Sequence, residues 1–309
     1  MKTLLLAVAL SAPVLAPIGA PSAMARAQPE VGAKGAVVDL RPKLRKGQEV
    51  PFKMTVAIER NQSMPDADGS RKTTKTRTTQ EIGLRFKVIE TSPEAGSTLD
   101  LRYDSIKLDL TSPAGDISFD STRPASGDAA TPGADFLRPI VGLTLRIQMD
   151  KDGNITSVGG GDSLEGSPAA SLASQFTGTD VVKGMFGPIF TMAKGRGEAT
   201  VGDSWQNVDV METPMGAMRL TTTNTLKSFN GKDATIDIKG SATLDPAGAS
   251  SPAATVAIKE STIDGTAVWS VKDGMLKSMT TEQRLLTEQS LGGTTGASAD
   301  TMKVTVTRR

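Results

Sequence analysis

The sequence predicts a mainly β or α+β protein, built as a curved antiparallel sheet or half-barrel with a central helical element at about residues 163–194. Two observations predict it. Apolar and polar side chains alternate with a period of two along most of the chain, which is typical of strands with one buried and one solvated face. In the middle of the chain, at 161–198, this alternation is lost and apolar side chains recur at spacings of three and four, the helical period.

The first three strands lie in "EVPFKMTVAIER" (49–60), "EIGLRFKVIE" (81–90) and "STLDLRYDSIKLDL" (97–110). In the first two, apolar side chains occupy the even positions and polar ones lie between them, so one face of each strand is buried. In the third, the apolar side chains move from odd positions to even ones. We therefore expect a β-bulge or bend near Asp104 and Ser105.

Further strands follow with the same alternation, at residues 141–149, 218–226, 234–244, 254–258, 267–271, 275–286 and 302–306. Stretches rich in glycine, alanine, serine and threonine separate some of them and are predicted to be connections: 111–139, 244–254 and 290–300. The first is long for a loop within a compact domain, so we expect a flexible surface excursion.

The central element reads as two short helices. Their predicted N-caps are Asp or Ser at 162–163 and Thr or Asp at 179–180. Glycines and Pro188 weaken the second helix and are expected to kink it. Its apolar stripe predicts a helix packed against the concave face of the sheet, and consists of Met185, Phe186, Ile189 and Phe190.

Residues 1–27 predict a secretory signal peptide, because Lys2 precedes an apolar run and small residues that suit a cleavage site. That run is too short to span a bilayer and no later segment is apolar enough, so no transmembrane segment is predicted. The chain has no cysteine, which excludes the lipid-modified cysteine of a lipoprotein. We expect a periplasmic or extracellular protein with residues 28–309 as a single β-rich domain.

Composition excludes several classes of function. Histidine and cysteine are both absent, so a Ser-His-Asp triad, a Cys-His pair and a histidine- or cysteine-ligated metal are impossible. The 35 basic and 34 acidic side chains nearly balance, which gives no field to attract nucleic acid. The sequence predicts no catalytic residue, no metal ligand, no cofactor and no nucleic-acid partner.

One stretch, "RIQMDKDGNITSVGG" at 146–160, begins as a calcium-binding loop does, with acidic or amide side chains two residues apart from Asp150. An EF-hand loop needs glycine at its sixth position and glutamate at its twelfth, where this chain has Ile155 and Gly161. We therefore predict a hairpin turn there.

The Lys-Asp-Gly of that turn recurs in "WSVKDGMLKSM" at 269–279, where it contains only one acidic residue. A tight turn with glycine at positive φ suits both copies. The predicted pairs are Met149 with Ile155 and Val271 with Met275.

Two hypotheses for function follow. The first is a non-enzymatic protein that binds an apolar small molecule, a lipid or an envelope protein, since the apolar helix suits a lid over a cavity. Its candidate ligand-binding residues are Met185, Phe186, Ile189, Phe190, Trp205 and Trp269. The alternative is a carboxylate-dependent hydrolase acting on envelope glycans, which would use a pair of acidic residues drawn from Asp100, Asp104, Asp109, Asp116 and Asp120. A purely structural envelope protein remains a third reading.

Several stretches together resemble a family of exported bacterial proteins known only as a domain of unknown function: "LRPKLRKGQEVPFKMTV", "YDSIKLDLTSPAGDISFDS", "GLTLRIQMDKDGNITSVGG", "VGDSWQNV" and "TAVWSVKDGMLKSMTTE". The resemblance spans most of residues 28–309 and implies a β-rich exported domain. It also implies a fold similar to the periplasmic lipoprotein carriers, in which helices close a curved antiparallel sheet. It assigns no activity and no site residue.

Overall fold

The structure is a computed structural model, and it describes residues 35–66, 70–160, 177–192, 197–213, 216–245, 254–291 and 294–309. The predicted signal peptide and the first predicted helix lie outside the described residues. Within the described part of the chain, no helix is both long enough and apolar enough to cross a membrane.

The described residues form fourteen strands and two α-helices. The strands are β1 (Val37–Asp39), β2 (Glu49–Pro65), β3 (Arg71–Ser92), β4 (Gly96–Ser112), β5 (Gly115–Asp120), β6 (Thr144–Met149), β7 (Ile155–Gly159), β8 (Glu198–Thr200), β9 (Ser204–Thr213), β10 (Gly216–Phe229), β11 (Asp233–Asp245), β12 (Ala254–Ser270), β13 (Met275–Leu291) and β14 (Thr294–Arg308). The helices are α1 (Ala134–Leu137) and α2 (Thr179–Phe190), and 3₁₀ turns cover Ala125–Ala130 and Arg138–Ile140.

Twelve of these strands form one open, curved sheet, and every pairing in it is antiparallel. Its order is β7-β6-β4-β3-β2-β14-β13-β12-β11-β10-β9, with β5 paired to β4 beside this path. β1 and β8 pair separately. The C-terminal strand β14 lies between β2 and β13 and joins the two halves of the chain. This architecture confirms the predicted fold class.

The predicted change of face in β4 is a β-bulge. Gly83 pairs with Ser105 and Leu84 with Tyr103, so Asp104 is the extra residue that has no partner in the register. The bulge returns both apolar sets of β4 to the same buried face. Gly83 fits because a Cβ there would meet the Ser105 side chain at 2.5 Å.

Three predictions about the segments between strands were wrong. Residues 290–300, expected to be a connection, belong mostly to β13 and β14, which pair with each other as far as Leu291 and Thr294. Residues 254–270 form one continuous strand where two short strands were expected. β13 pairs with both halves of it, β11 pairs with residues 263–270, and a register shift after Ile258 absorbs the change of pattern. Residues 111–139 are not a surface excursion. They complete the β4–β5 hairpin and form α1, and they contribute Phe119 and Leu137 to the core.

The two Lys-Asp-Gly turns are hairpins, as predicted. Met149 pairs with Ile155, but Met275 pairs with Ser270 and not with Val271, since a second bulge precedes Trp269. The glycines, Gly153 and Gly274, have φ values of 85° and 57°.

Both turns pack on one short segment. A Cβ at Gly153 would meet the Pro42 side chain at 2.5 Å, and a Cβ at Gly274 would collide with the backbone of Arg41 and Lys43. Only glycine allows this close approach. Close packing against residues 41–43, rather than metal binding, accounts for the repeated turn.

Candidate functional site

Helix α2 covers one face of the sheet, which we call the inner face. Phe186 and Phe190 lie one helical turn apart and meet the ring of Phe86 edge to face, with centroids 5.8 and 5.0 Å away. The ring of Tyr103 lies 6.5 Å from that of Phe186. Complete burial raises the pKa of Tyr103 above its ordinary value, in keeping with a dry interior under the helix.

The predicted stripe of α2 is therefore core. Met185, Phe186, Ile189 and Phe190 are each at most 5% exposed and belong to the main hydrophobic cluster. Burial of the aromatic pair alone is worth several kcal/mol, since truncating a buried phenylalanine costs about 3–5 kcal/mol. The direct contact of these four side chains with a ligand stays a prediction.

The two tryptophans have different surroundings. The Trp205 indole Nε1 donates a hydrogen bond of 2.9 Å to the carbonyl of Met192, which holds the chain just after α2 against the edge strand β9. Trp269 is fully buried, and its Nε1 has no hydrogen-bond partner in the described part of the chain. Trp205 thus positions the end of the helix, and Trp269 belongs to the core.

A cavity of about 80 Å³ lies between α2 and the inner face of β9, β10, β11 and β13. It is lined by the side of α2 opposite to the apolar stripe and by mixed polar and apolar strand residues: Lys183, Gly184, Gly187, Pro188, Thr191, Met192, Asn207, Asp209, Leu220, Thr222, Asn224, Ile238 and Met279. This volume has room for several water molecules or for part of a small ligand.

Two glycines of α2 border the cavity. A Cβ at Gly184 or Gly187 would meet no atom within 4 Å beyond the helix backbone, so both glycines face open space. Pro188 lies inside α2 and has no N–H to donate to the Gly184 carbonyl. Gly184, Gly187 and Pro188, which weaken the helical pattern in the sequence, are therefore among the residues of α2 that line the cavity.

Register across the sheet shows where the apolar inner face ends. One row of directly paired residues is entirely apolar and buried: Ile106, Ile82, Met54, Val306, Met279, Ala267, Ile236 and Leu226. The next row on the same face, two residues further along each strand, contains polar side chains: Leu108, Gln80, Val56, Val304, Thr281, Gly265, Ile238, Asn224 and Trp205. We call this second row the polar row.

Polar atoms in and beside this row are buried without partners. Gln80 Nε2, Thr281 Oγ1 and Asn224 Nδ2 have no hydrogen-bond partner among the described residues, although the three side chains are at most 8% exposed. The same is true of Thr191 Oγ1 and Asn207 Oδ1 at the cavity. Buried polar groups in folded proteins are normally hydrogen-bonded, so these atoms are available to a partner outside the described residues.

Four of the five acidic side chains of the alternative hypothesis have basic or hydroxyl partners, namely Asp100, Asp104, Asp109 and Asp120. Asp100 pairs with Arg146, and Asp104 with Arg85 at 3.0 Å. The Ser118 hydroxyl donates to Asp109 at 2.7 Å. In each of these contacts the carboxylate accepts a hydrogen bond from a guanidinium group or a hydroxyl.

Asp120 illustrates the same electrostatics. Hydrogen bonds from Thr122 and the ammonium group of Lys107 3.0 Å away outweigh its partial burial and lower its pKa to about 2. Asp120 is therefore a carboxylate at every physiological pH.

A second, wider cleft of about 1080 Å³ lies between the β4–β5 hairpin and residues 128–139. Asp116 and Asp128 line it, but Asp120 does not. Arg138 grips Asp128 with two hydrogen bonds of 2.7 Å and lowers the pKa of that carboxyl, so Asp128 is not set up as a proton donor. None of the unpartnered polar atoms of the described residues belongs to a side chain that lines this cleft.

Among the described residues, no group of three or more acidic side chains is arranged to hold a metal ion. The oxygens of Asp150, the first residue of the calcium-like stretch, accept hydrogen bonds of 2.8–2.9 Å from Asp152 and Asn154. They stabilise the hairpin turn.

Sequence reasoning missed the residues of the polar row that line the cavity. A signal was present in "LTTTNTL", where Leu220 and Leu226 share their parity with Thr222 and Asn224. Polar side chains at the alternate positions of a strand that face the interior indicate an inner surface that is not purely apolar core. The sequence analysis predicts only an ordinary strand at 218–226.

Comparison with known proteins gives a family and distant structural likenesses. No curated protein matches the sequence. A lipovitellin, in a structure titled for its lipid–protein interactions, is 9% identical with a TM-score of 0.47 over 86% of this chain. This chain spans only 25% of it.

Two further likenesses are weaker. DynF, from the dynemicin biosynthesis pathway of Micromonospora chersina, is 8% identical with a TM-score of 0.22 over 94% of each chain. A DUF1329 family protein from Desulfovibrio piger is 7% identical with a TM-score of 0.13 over 82% of this chain and 84% of its own. All three TM-scores are below 0.5, so nothing about ligand or activity is inferred from them.

The family comparison is decisive for classification. The model of a family of unknown function, DUF6263, matches residues 94–276, which is more than half of the chain and includes the β4 bulge, both Lys-Asp-Gly turns and helix α2. This match confirms the resemblance to a domain of unknown function. The chain belongs to the DUF6263 family.

Proposed function

We propose that this protein is a non-enzymatic binding protein that acts in the periplasm or outside the cell and holds a small ligand with an apolar body between α2 and the sheet. The observation that carries the proposal is the cavity of about 80 Å³ beside the helix. Cavities of this kind, with apolar walls and a few convergent polar groups, are the usual form of small-molecule sites.

The walls support a ligand with an apolar body. Leu220, Ile238 and Met279 form the apolar part of the sheet side, and Met192 closes the end near Trp205. The helix side includes Gly184 and Gly187, which leave room that larger residues would fill. Protein interiors are normally closely packed, so a space that two glycines leave unfilled supports the proposal that a ligand occupies it.

The non-enzymatic part of the proposal is supported by the absence of histidine and cysteine from the sequence and by the cationic partners of Asp100 and Asp104. The extracytoplasmic part is supported by the signal-peptide pattern of residues 1–27.

Filling the cavity tests the proposal. In Gly187→Leu the new side chain enters the open space next to the helix, and leucine is a good helix former, so the variant is expected to fold. We expect native mass spectrometry of the wild-type protein, purified from its own host, to show a bound small molecule that Gly187→Leu lacks. With ligand-free protein, 1-hexanol is expected to raise the melting temperature of the wild type but not of Gly187→Leu.

Gly127→Leu is the matched control, because a Cβ at Gly127 also meets no atom within 4 Å but lies in the 3₁₀ turn Ala125–Ala130 and not in the cavity wall. It should retain the ligand. A wild-type protein that carries no ligand and does not respond to 1-hexanol would overturn the proposal, as would equal binding by Gly187→Leu.

A further inference from the structure

The wall of the cavity contains a complementary set of hydrogen-bonding atoms that find no partner among the described residues. Asn224 is 2% exposed and Thr191 is 6% exposed, and both line the cavity. Asn224 Nδ2 and Thr191 Oγ1 have no partner among the described residues, and neither has Asn207 Oδ1. Three of the six buried side-chain atoms that lack a partner among the described residues therefore lie on the wall of this one cavity.

The three atoms differ in chemistry. The amide nitrogen of Asn224 is a donor, the amide oxygen of Asn207 is an acceptor, and the hydroxyl of Thr191 can act as either. The orientation of the Asn207 amide is fixed by its nitrogen, which donates to the Met192 carbonyl at 3.4 Å. A ligand group that meets all three needs both an acceptor and a donor.

Charge is balanced around the same cavity. Lys183 and Asp209 are the charged side chains among its lining residues, one of each sign. Lys183 already lies 3.9 Å from the carboxylate of Asp180. A buried ionic ligand needs an opposite charge dedicated to it, because an unpaired buried charge is far more costly than an unpaired amide or hydroxyl. Among the described lining residues, Lys183 is paired with Asp180 and Asp209 is exposed, so neither is a buried charge dedicated to a ligand.

We infer that the cavity recognises the uncharged head group of an amphipathic molecule, either a carboxamide or an alcohol, through Asn224, Asn207 and Thr191. The apolar body of the molecule contacts Leu220, Ile238 and Met279 on the sheet side. This inference rests on the proposed function and adds the class of ligand to it. It also separates the site from one for fatty acids in their ionised form, for phosphorylated lipids or for amines.

A matched series of probes tests the head group: hexanamide, 1-hexanol, hexanoate and hexylamine at pH 7, each titrated into ¹⁵N-labelled full-length mature protein and followed by NMR. The four share one apolar chain and differ only in the polar end. We expect hexanamide and 1-hexanol to bind at least about tenfold more tightly than the two charged probes, and their signal changes to map to α2, β9 and β10.

Two threonine variants supply the control. Thr191→Val and Thr281→Val each remove one buried hydroxyl that has no partner among the described residues, but only Thr191 lines the cavity. We expect Thr191→Val and Asn224→Leu to weaken hexanamide binding by about fivefold or more, and Thr281→Val to leave it unchanged. A purely structural role for these polar groups would change all three variants alike.

The outcomes separate the two proposals. Equal or tighter binding of hexanoate or hexylamine, or unchanged hexanamide binding in Thr191→Val and Asn224→Leu, overturns the head-group inference and leaves the proposed binding function intact. If no probe of the series binds at all, the unused atoms are bonded to solvent only, and both proposals fail.

Discussion

Thr281 offers a direct test of whether the polar row really lacks partners. Its side chain has no exposed surface, and its hydroxyl has no hydrogen-bond partner in the described chain. It pairs with Val304 on β14 and Gly265 on β12, in the middle of the sheet. In Thr281→Val a methyl group replaces the hydroxyl at nearly the same volume, and both residues are β-branched, so packing and rotamer freedom change little.

The magnitude follows from the cost of the buried hydroxyl. An unsatisfied buried polar group costs about 1–3 kcal/mol, and its replacement by an apolar group of the same shape is neutral or stabilising. We expect Thr281→Val to raise the free energy of unfolding by about 1 kcal/mol, the low end of that range, because local relaxation recovers part of the cost. For a protein of this size, 1 kcal/mol corresponds to a rise of about 2–4 °C in melting temperature.

Urea unfolding followed by circular dichroism measures the effect. The midpoint should rise while the dependence on urea concentration stays the same, as it does when stability alone changes. Thr280→Val is the control, since Thr280 is the next residue along β13, points to the other face and is partly exposed; it should change stability by less than about 0.5 kcal/mol. A loss of 1 kcal/mol or more in Thr281→Val alone would show that the hydroxyl is bonded, and the argument from unused polar atoms would be refuted.

Three other perturbations test the packing and the electrostatics. Phe186→Ala should lower the free energy of unfolding by about 3–5 kcal/mol, because it empties the aromatic contact under α2, and thermal or urea unfolding measures this. Asp120→Asn should destabilise the protein above about pH 4 but not near pH 2. The threonine and lysine partners of Asp120 lower its pKa in the folded state to about 2, and the stabilisation that they give is lost as the pH falls through this value. Unfolding curves of both proteins between about pH 2 and 7 measure the difference. Gly274→Ala should destabilise the protein by more than Gly47→Ala does. Both glycines have positive φ, so each substitution costs backbone strain of about 1–2 kcal/mol, but only Gly274 also lies against another backbone segment. Equal losses of stability in melting curves would contradict that packing.

Local pattern was sufficient for much of the fold. Alternation located the strands, and the switch of parity in β4 located the bulge at Asp104, because a period of two leaves no other way to keep both apolar sets on one face. The Lys-Asp-Gly turns were also local, since their geometry depends on a single glycine in each. Helix α2 was predicted from its spacing of apolar residues, but its N-cap is Gly178 and not Thr179 or Asp180 as predicted.

Local pattern failed where neighbours override it. The polar run within 254–270 has weak strand character, yet it is a strand because β13 pairs with it and β11 pairs with its second part, residues 263–270. Residues 111–139 look like a loop in composition, but the pairing of β5 with β4 and the packing of α1 make them part of the structure. Hydrogen bonding between distant segments decided both cases, and sequence alone does not reveal which segments meet.

The candidate site divides in the same way. The sequence by itself determined that α2 has an apolar side, that no histidine or cysteine chemistry exists, and that the strands have an inner face. Only the tertiary structure decided that the apolar side of α2 is consumed by the core, that its glycine side borders a cavity, and that Thr191, Asn207 and Asn224 meet there from three separate elements. The physical reason is that periodicity records which face of an element is buried, whereas a cavity and its unused hydrogen bonds arise from the register and packing of elements far apart in the chain.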